Sequence, residues 1–133
     1  MRNVAPLIAA TAALAALSAC AQGGVVAQGD DAPSYLAIET ILLDGDLVNF
    51  RVAVQGARGT ADVEDYGRCA AAQYALIRGF GFARHVRTNV AKDGNTWRGD
   101  AVYVISAALP PGFKTIDAEV AVRDCGAQGI PTV

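Results

Sequence analysis

The stretch LVNFRVAVQ, residues 47–55, decides the fold. Val48, Phe50, Val52 and Val54 alternate with Asn49, Arg51, Ala53 and Gln55, the period-two pattern of a strand with one buried and one wet face. Immediately before it, Asp44-Gly45-Asp46 offers a tight turn in which glycine takes the positive φ that side chains resist. Residues 35–43 are therefore expected to fold back as the first strand of a hairpin.

Working outward, Gly56 and Gly59 break the strand, and Thr60 reads as a helix N-cap followed by Asp62, Glu64 and Asp65, all favourable at a helix amino terminus. Val63, Tyr66, Ala70, Tyr74 and Ile77 recur every three or four residues, the stripe of an amphipathic helix, with Cys69 beside it. Arg78 and Gly79 suit its carboxyl end. Residues 82–91 and 96–107 read as a second hairpin across Lys92-Asp93-Gly94-Asn95, with Phe82, Val86 and Val90 on the apolar face and His85, Arg87 and Asn89 on the wet one. Pro110-Pro111-Gly112 ends it.

Over residues 115–123 two periods compete. Ile116, Ala118, Val120 and Val122 alternate as a strand, with Asp117, Glu119 and Arg123 on the opposite parity, whereas Ala118, Ala121, Val122 and Cys125 fit a helix. The alternation favours the strand, leaving 126–133 as a tail. The expectation is an α+β fold, a small antiparallel sheet in the order ββαβββ with one helix packed on one face. Its core would hold Leu36, Ile38, Val48, Phe50, Val52, Val54, Tyr66, Ala70, Ile77, Val86, Tyr103, Val120 and Val122.

The 133 residues make one domain by length, and much of the 53% hydrophobic content sits at the start. From Val4 to Ala19 the run VAPLIAATAALAALSA carries no charge, and Arg2 supplies a positive end. That is the layout of a secretory signal, and the run is shorter than the roughly 18 to 20 residues of a membrane-spanning helix. Leu17-Ser18-Ala19-Cys20 resembles the lipobox of bacterial lipoproteins. The resemblance, confined to residues 1–20, implies removal of 1–19, acylation of Cys20 with chains such as palmitate, and tethering in the cell envelope. Ala21 in place of Asp implies the outer membrane, facing the periplasm. Two or more chains hold firmly, since each buried CH₂ contributes about 0.8 kcal/mol. Residues 20–34 then form the lipidated cysteine and a flexible Gly-, Gln- and Ala-rich tether, and 35–133 the single domain.

With Cys20 of the three cysteines committed to lipid, Cys69 and Cys125 remain as one pair. A bridge between them in an oxidising compartment would contribute about 4 kcal/mol, the alternative being two separate buried thiols. Loss of Arg2 with the leader leaves ten basic residues against thirteen acidic, a net charge of −3, with no lean toward nucleic acid.

Chemistry is thinly marked. His85 is the sole histidine, carries no nucleophile motif and has no partners at metal-ligand spacing, so it reads as a solvated surface residue. No catalytic residue, metal site or cofactor is expected. The pairs Asp30-Asp31 and Asp44/Asp46 and the trio Asp62/Glu64/Asp65 have simpler accounts as tether, turn and helix terminus. One cluster stands out: Arg78, Arg84, Arg87, Lys92 and Arg98, with Trp97 among them and Asp93 the one acid in that span. Such a patch suits an anionic envelope component or an acidic protein surface, or else it guards an edge hairpin against aggregation. The expected role is a non-catalytic binding or structural lipoprotein at the membrane surface. The rival is an envelope enzyme or enzyme inhibitor acting on cell-wall or peptide substrates, favoured if a pocket gathers His85 with two carboxylates.

Overall fold

The computed structural model describes residues 32–109 and 114–132; the leader, Cys20, most of the tether and Pro110-Pro111-Gly112 lie outside them. Strand β3 (Leu47–Gln55) is central, as its alternation predicts, with Val48, Phe50, Val52 and Val54 at most 3% exposed. On one side it pairs with β1 (Ser34–Tyr35) and β2 (Glu39–Leu42), and on the other with β5 (Thr96–Ser106). Beyond β5 lie β4 (Phe82–Asp93) and a short β6 (Thr115–Asp117), and every pairing is antiparallel. The α+β class and the antiparallel sheet hold.

The expected first strand is two strands. Tyr35 pairs with Val54 but Glu39 pairs with Arg51, so one extra residue is accommodated between them and the side-chain parity reverses. Leu36, expected in the core, is consequently 38% exposed, while Tyr35 packs edge-on against Tyr66 at 4.9 Å. The Tyr66 hydroxyl donates to the Leu36 carbonyl.

Helix α1 (Thr60–Ile77) lies on the face formed by the even residues of β3. Gly59, not Thr60, is its N-cap and makes no side-chain capping bond. Asp62 instead accepts from the Arg58 backbone N–H at 2.8 Å and from its guanidinium. The buried face is made of small residues, with Gly67, Ala70, Ala71, Ala72 and Ala75 around Val63 and Tyr66. The helix ends in a Schellman turn: the Gly79 N–H reaches the Leu76 carbonyl and the Phe80 N–H the Ala75 carbonyl, with Gly79 at φ 80°. Phe80 closes the core at that end, which leaves Ile77 61% exposed, against expectation.

The stretch after β6 corrects the sequence reading most. It is a second helix, α2 (Ala118–Gln128), in place of a strand to residue 123 and a loose tail. Asp117 is the reason: its side chain accepts from the Val120 N–H at 3.1 Å and caps the helix. Ala118, Ala121 and Cys125 face inward at helical spacing, and Val120 points out at 43% exposure. Gly129, at φ 71°, ends α2 with a second Schellman turn through Ile130. Cys69 of α1 and Cys125 of α2, both fully buried, are joined by a disulfide with a Cα–Cα distance of 6.0 Å. Among the described residues no helix is long and apolar enough to cross a membrane.

Of the remaining expected core, Tyr66, Ala70 and Tyr103 are buried, and Ile38 and Val122 pack against it partly covered. Val86 is 45% exposed because it is the extra residue of a β-bulge: His85 pairs with Tyr103 and Arg87 with the next residue, Val102.

Candidate functional site

The bulge at Val86 gathers polar side chains on the helix side of the sheet. In a regular strand residues three apart point to opposite faces, so His85 and Thr88 would be separated by the sheet. One extra residue between them turns both toward the helix side. His85 Nε2 lies 2.7 Å from Thr88 Oγ1, and the imidazole stands edge-on to the Tyr103 ring at 5.1 Å. His85 was expected on the wet face; it instead helps line a pocket of about 390 Å³ between α1, β4 and the start of β6.

From α1, Glu64, Asp65 and Arg68 reach the same pocket, and Lys114 closes it from the residue preceding β6. The carbonyl of Lys114 accepts from the His85 backbone N–H at 3.0 Å, and Lys114 sits at φ 66°, the left-handed region that side chains rarely adopt. Burial lowers the His85 pKa, and the Lys114 ammonium lowers it further against a smaller opposing pull from the Glu64 carboxylate. Both effects favour the uncharged imidazole, which is hydrogen-bonded to the Thr88 hydroxyl in a sense set by its tautomer. Burial also raises the Tyr103 phenol, which stays protonated. Among the described residues no group of three or more His, Cys, Asp or Glu side chains is arranged to hold a metal ion.

Among the described residues no helix covers the opposite face of the sheet. A groove of about 480 Å³ runs over it, lined by Glu39, Arg51, Ala53, Asn89, Arg98 and Asp100 among others. Arg87 pairs with Asp100 at 3.6 Å and Arg51 with Glu39 at 3.8 Å, while Asn49, 6% exposed, donates to the Asp100 carboxylate and the Ala101 carbonyl. Alternation from the buried Ala83 puts Arg84 on this face too.

The single basic patch expected from sequence is thus divided. Arg84, Arg87 and Arg98 share the open face, and Arg51 joins them. Lys92 stacks over Trp97 at 5.0 Å on the helix side of the hairpin tip. Arg78 bonds the Tyr74 hydroxyl at 2.7 Å at the end of α1, the opposite end of the molecule.

The described domain coincides with a known family, because the profile for the YNQ4 C-terminal domain matches residues 35–129, from β1 to the glycine that ends α2. The chain belongs to the YNQ4 C-terminal domain family. It is 31% identical over 77 residues to a Paracoccus denitrificans protein described as an uncharacterised 26.9 kDa protein in the nqo8 5′ region. That match covers 56% of this chain and 30% of the relative, so the chain spans about a third of the curated relative's length. No solved structure matches it. Neither the family description nor the relative's name states a catalytic activity.

Sequence reading of this YNQ4 C-terminal domain found the two cysteines and three of the four arginines on the open face. It missed the pocket, since Glu64, Arg68, Thr88, Tyr103 and Lys114 converge only through the bulge and the β4–β6 pairing. No glycine or proline marks the bulge in HVRT, residues 85–88, so it left no local signal.

Proposed function

We propose that this YNQ4 C-terminal domain works as a lipid-anchored, non-catalytic binding module of the bacterial envelope, held at the outer membrane and facing the periplasm. The observation that carries the reading is the Cys69–Cys125 bridge. Disulfides persist in oxidising compartments, and the lipobox-like Leu17-Ser18-Ala19-Cys20 supplies a route to one while accounting for the third cysteine. The binding half of the proposal rests on the open sheet face, where Arg51 and Arg87 are matched to Glu39 and Asp100 while Arg84 and Arg98 enter no ion pair among the described residues. Such a surface suits an anionic envelope component or an acidic protein partner.

Intact mass of protein purified from membranes tests the anchor and the bridge together. The expected result is loss of residues 1–19, added lipid on Cys20 that a Cys20→Ala variant lacks, and a gain of two hydrogens on reduction. An unlipidated precursor, or no mass change on reduction, would overturn the reading.

A second reading, an envelope enzyme or inhibitor acting on cell-wall or peptide substrates, draws on the pocket that gathers His85 with Glu64 and Asp65. A hydroxyl within hydrogen-bond reach of an imidazole is the first element of a nucleophile and its base. The binding reading is preferred because neither carboxylate hydrogen-bonds His85 among the described residues, so no third group orients that base. Peptide or cell-wall hydrolysis lost in Thr88→Val would reverse the preference.

A further inference from the structure

The pocket around His85 is balanced in charge, and that balance defines what it can hold. Lys114 and Glu64 act on the His85 proton in opposite senses, which puts an ammonium and a carboxylate within electrostatic reach of one imidazole. Neither enters an ion pair among the described residues, whereas Arg68 and Asp65 are already matched to each other at 3.8 Å. A net anion entering here meets Glu64 and Asp65, and a net cation meets Lys114 and Arg68. A molecule carrying both charges meets a counter-charge for each, which a neutral molecule or a single ion does not.

Tyr103, whose ring is 3% exposed, lines the same pocket. Thr88 and His85 offer further donors and acceptors on the same wall, and Ile116 gives an apolar side. The volume of about 390 Å³ lies in the range of small-molecule sites. Lys114 is held in its left-handed conformation by the His85 backbone, so the ammonium is carried on a constrained residue.

We propose that this pocket binds a small zwitterion of the α-amino-acid class, with its ammonium toward Glu64 and its carboxylate toward Lys114 and the Tyr103 hydroxyl. The proposal rests on the pocket alone and holds whether or not Cys20 carries lipid.

His85 is the sole histidine, so its ring signals in a nuclear magnetic resonance spectrum report on this pocket without assignment ambiguity. The full chain, purified in detergent, is titrated with L-alanine, D-alanine, L-glutamate and L-lysine. Each is compared with its N-acetyl form, which keeps only the carboxylate, and its amide, which keeps only the ammonium. Saturable shifts are expected with at least one free amino acid, weakened about tenfold or more in its two blocked forms and in Glu64→Gln and Lys114→Gln. Both variants change solvent-facing charges, and unchanged amide signals from β3 and β5 verify that the fold is kept. No saturable shift up to about 10 mM, or equal binding of free and blocked forms, or unchanged affinity in both variants, would overturn the proposal.

Discussion

At the scale of single residues, Gly99 governs how closely α1 approaches the sheet. A Cβ placed there would lie 2.5 Å from Val63 Cγ1 and 2.9 Å from Val52 Cγ2, with both valines buried and neither free to move away. Gly99→Ala is expected to cost about 1 to 3 kcal/mol by overpacking, read as a lower denaturation midpoint at unchanged slope. Gly67→Ala is the milder change, because its Cβ would sit 3.0 Å from Ala101 Cβ and a gain in helix propensity of about 1 kcal/mol offsets the contact. His85 carries a pH signature. Its folded pKa lies below the ordinary 6.5, so between the two values the unfolded chain binds more protons. Stability from this group is present above pH 6.5 and is lost as pH falls toward the lowered pKa; a His85→Gln variant should flatten that part of the stability curve. The environment of His85 was not legible in the sequence, since parity counting assigns faces correctly only until a bulge intervenes, and this bulge shifts every later residue of β4.

At the scale of elements, β3, α1, β4 and β5 could be read because a strong period coincided with a turn or cap of glycine and aspartate: Gly45 before β3, Gly79 after α1 and Gly94 between β4 and β5. The region of β6 and α2 could not, because Ile116, Ala118, Val120 and Val122 satisfy a period of two while Ala118, Ala121 and Cys125 satisfy a helical one. What decided between them was a cap, Asp117, whose alignment with the alternation disguised it as a wet-face strand residue. α2 also has little of its own to hold it. It buries only Ala118, Ala121 and Cys125 and packs mainly on α1. Reduction of the bridge should therefore loosen α2 first, with fast amide exchange across Ala118–Gln128 while β3 and β5 remain protected. Uniform loss of protection across all elements would show instead that the bridge holds the whole fold.

At the scale of the whole molecule, the two faces of the sheet divide the labour. One is filled by α1 with alanine and glycine at the contact, and the other is left to arginines over an aspartate and an asparagine. The family match from residue 35 to 129 spans both faces, so the pocket and the open face lie within the matched range. The Cys69–Cys125 bridge has one more result. The stretch it spans, with a separation of 56 residues, contains β4, β5 and β6, so the polypeptide is topologically a ring with two arms. A protease cutting the exposed turn at Asp93 and Gly94 opens that ring without dividing the molecule. The nicked chain should migrate as one species on a denaturing gel and fall into two fragments only when a thiol reductant is added.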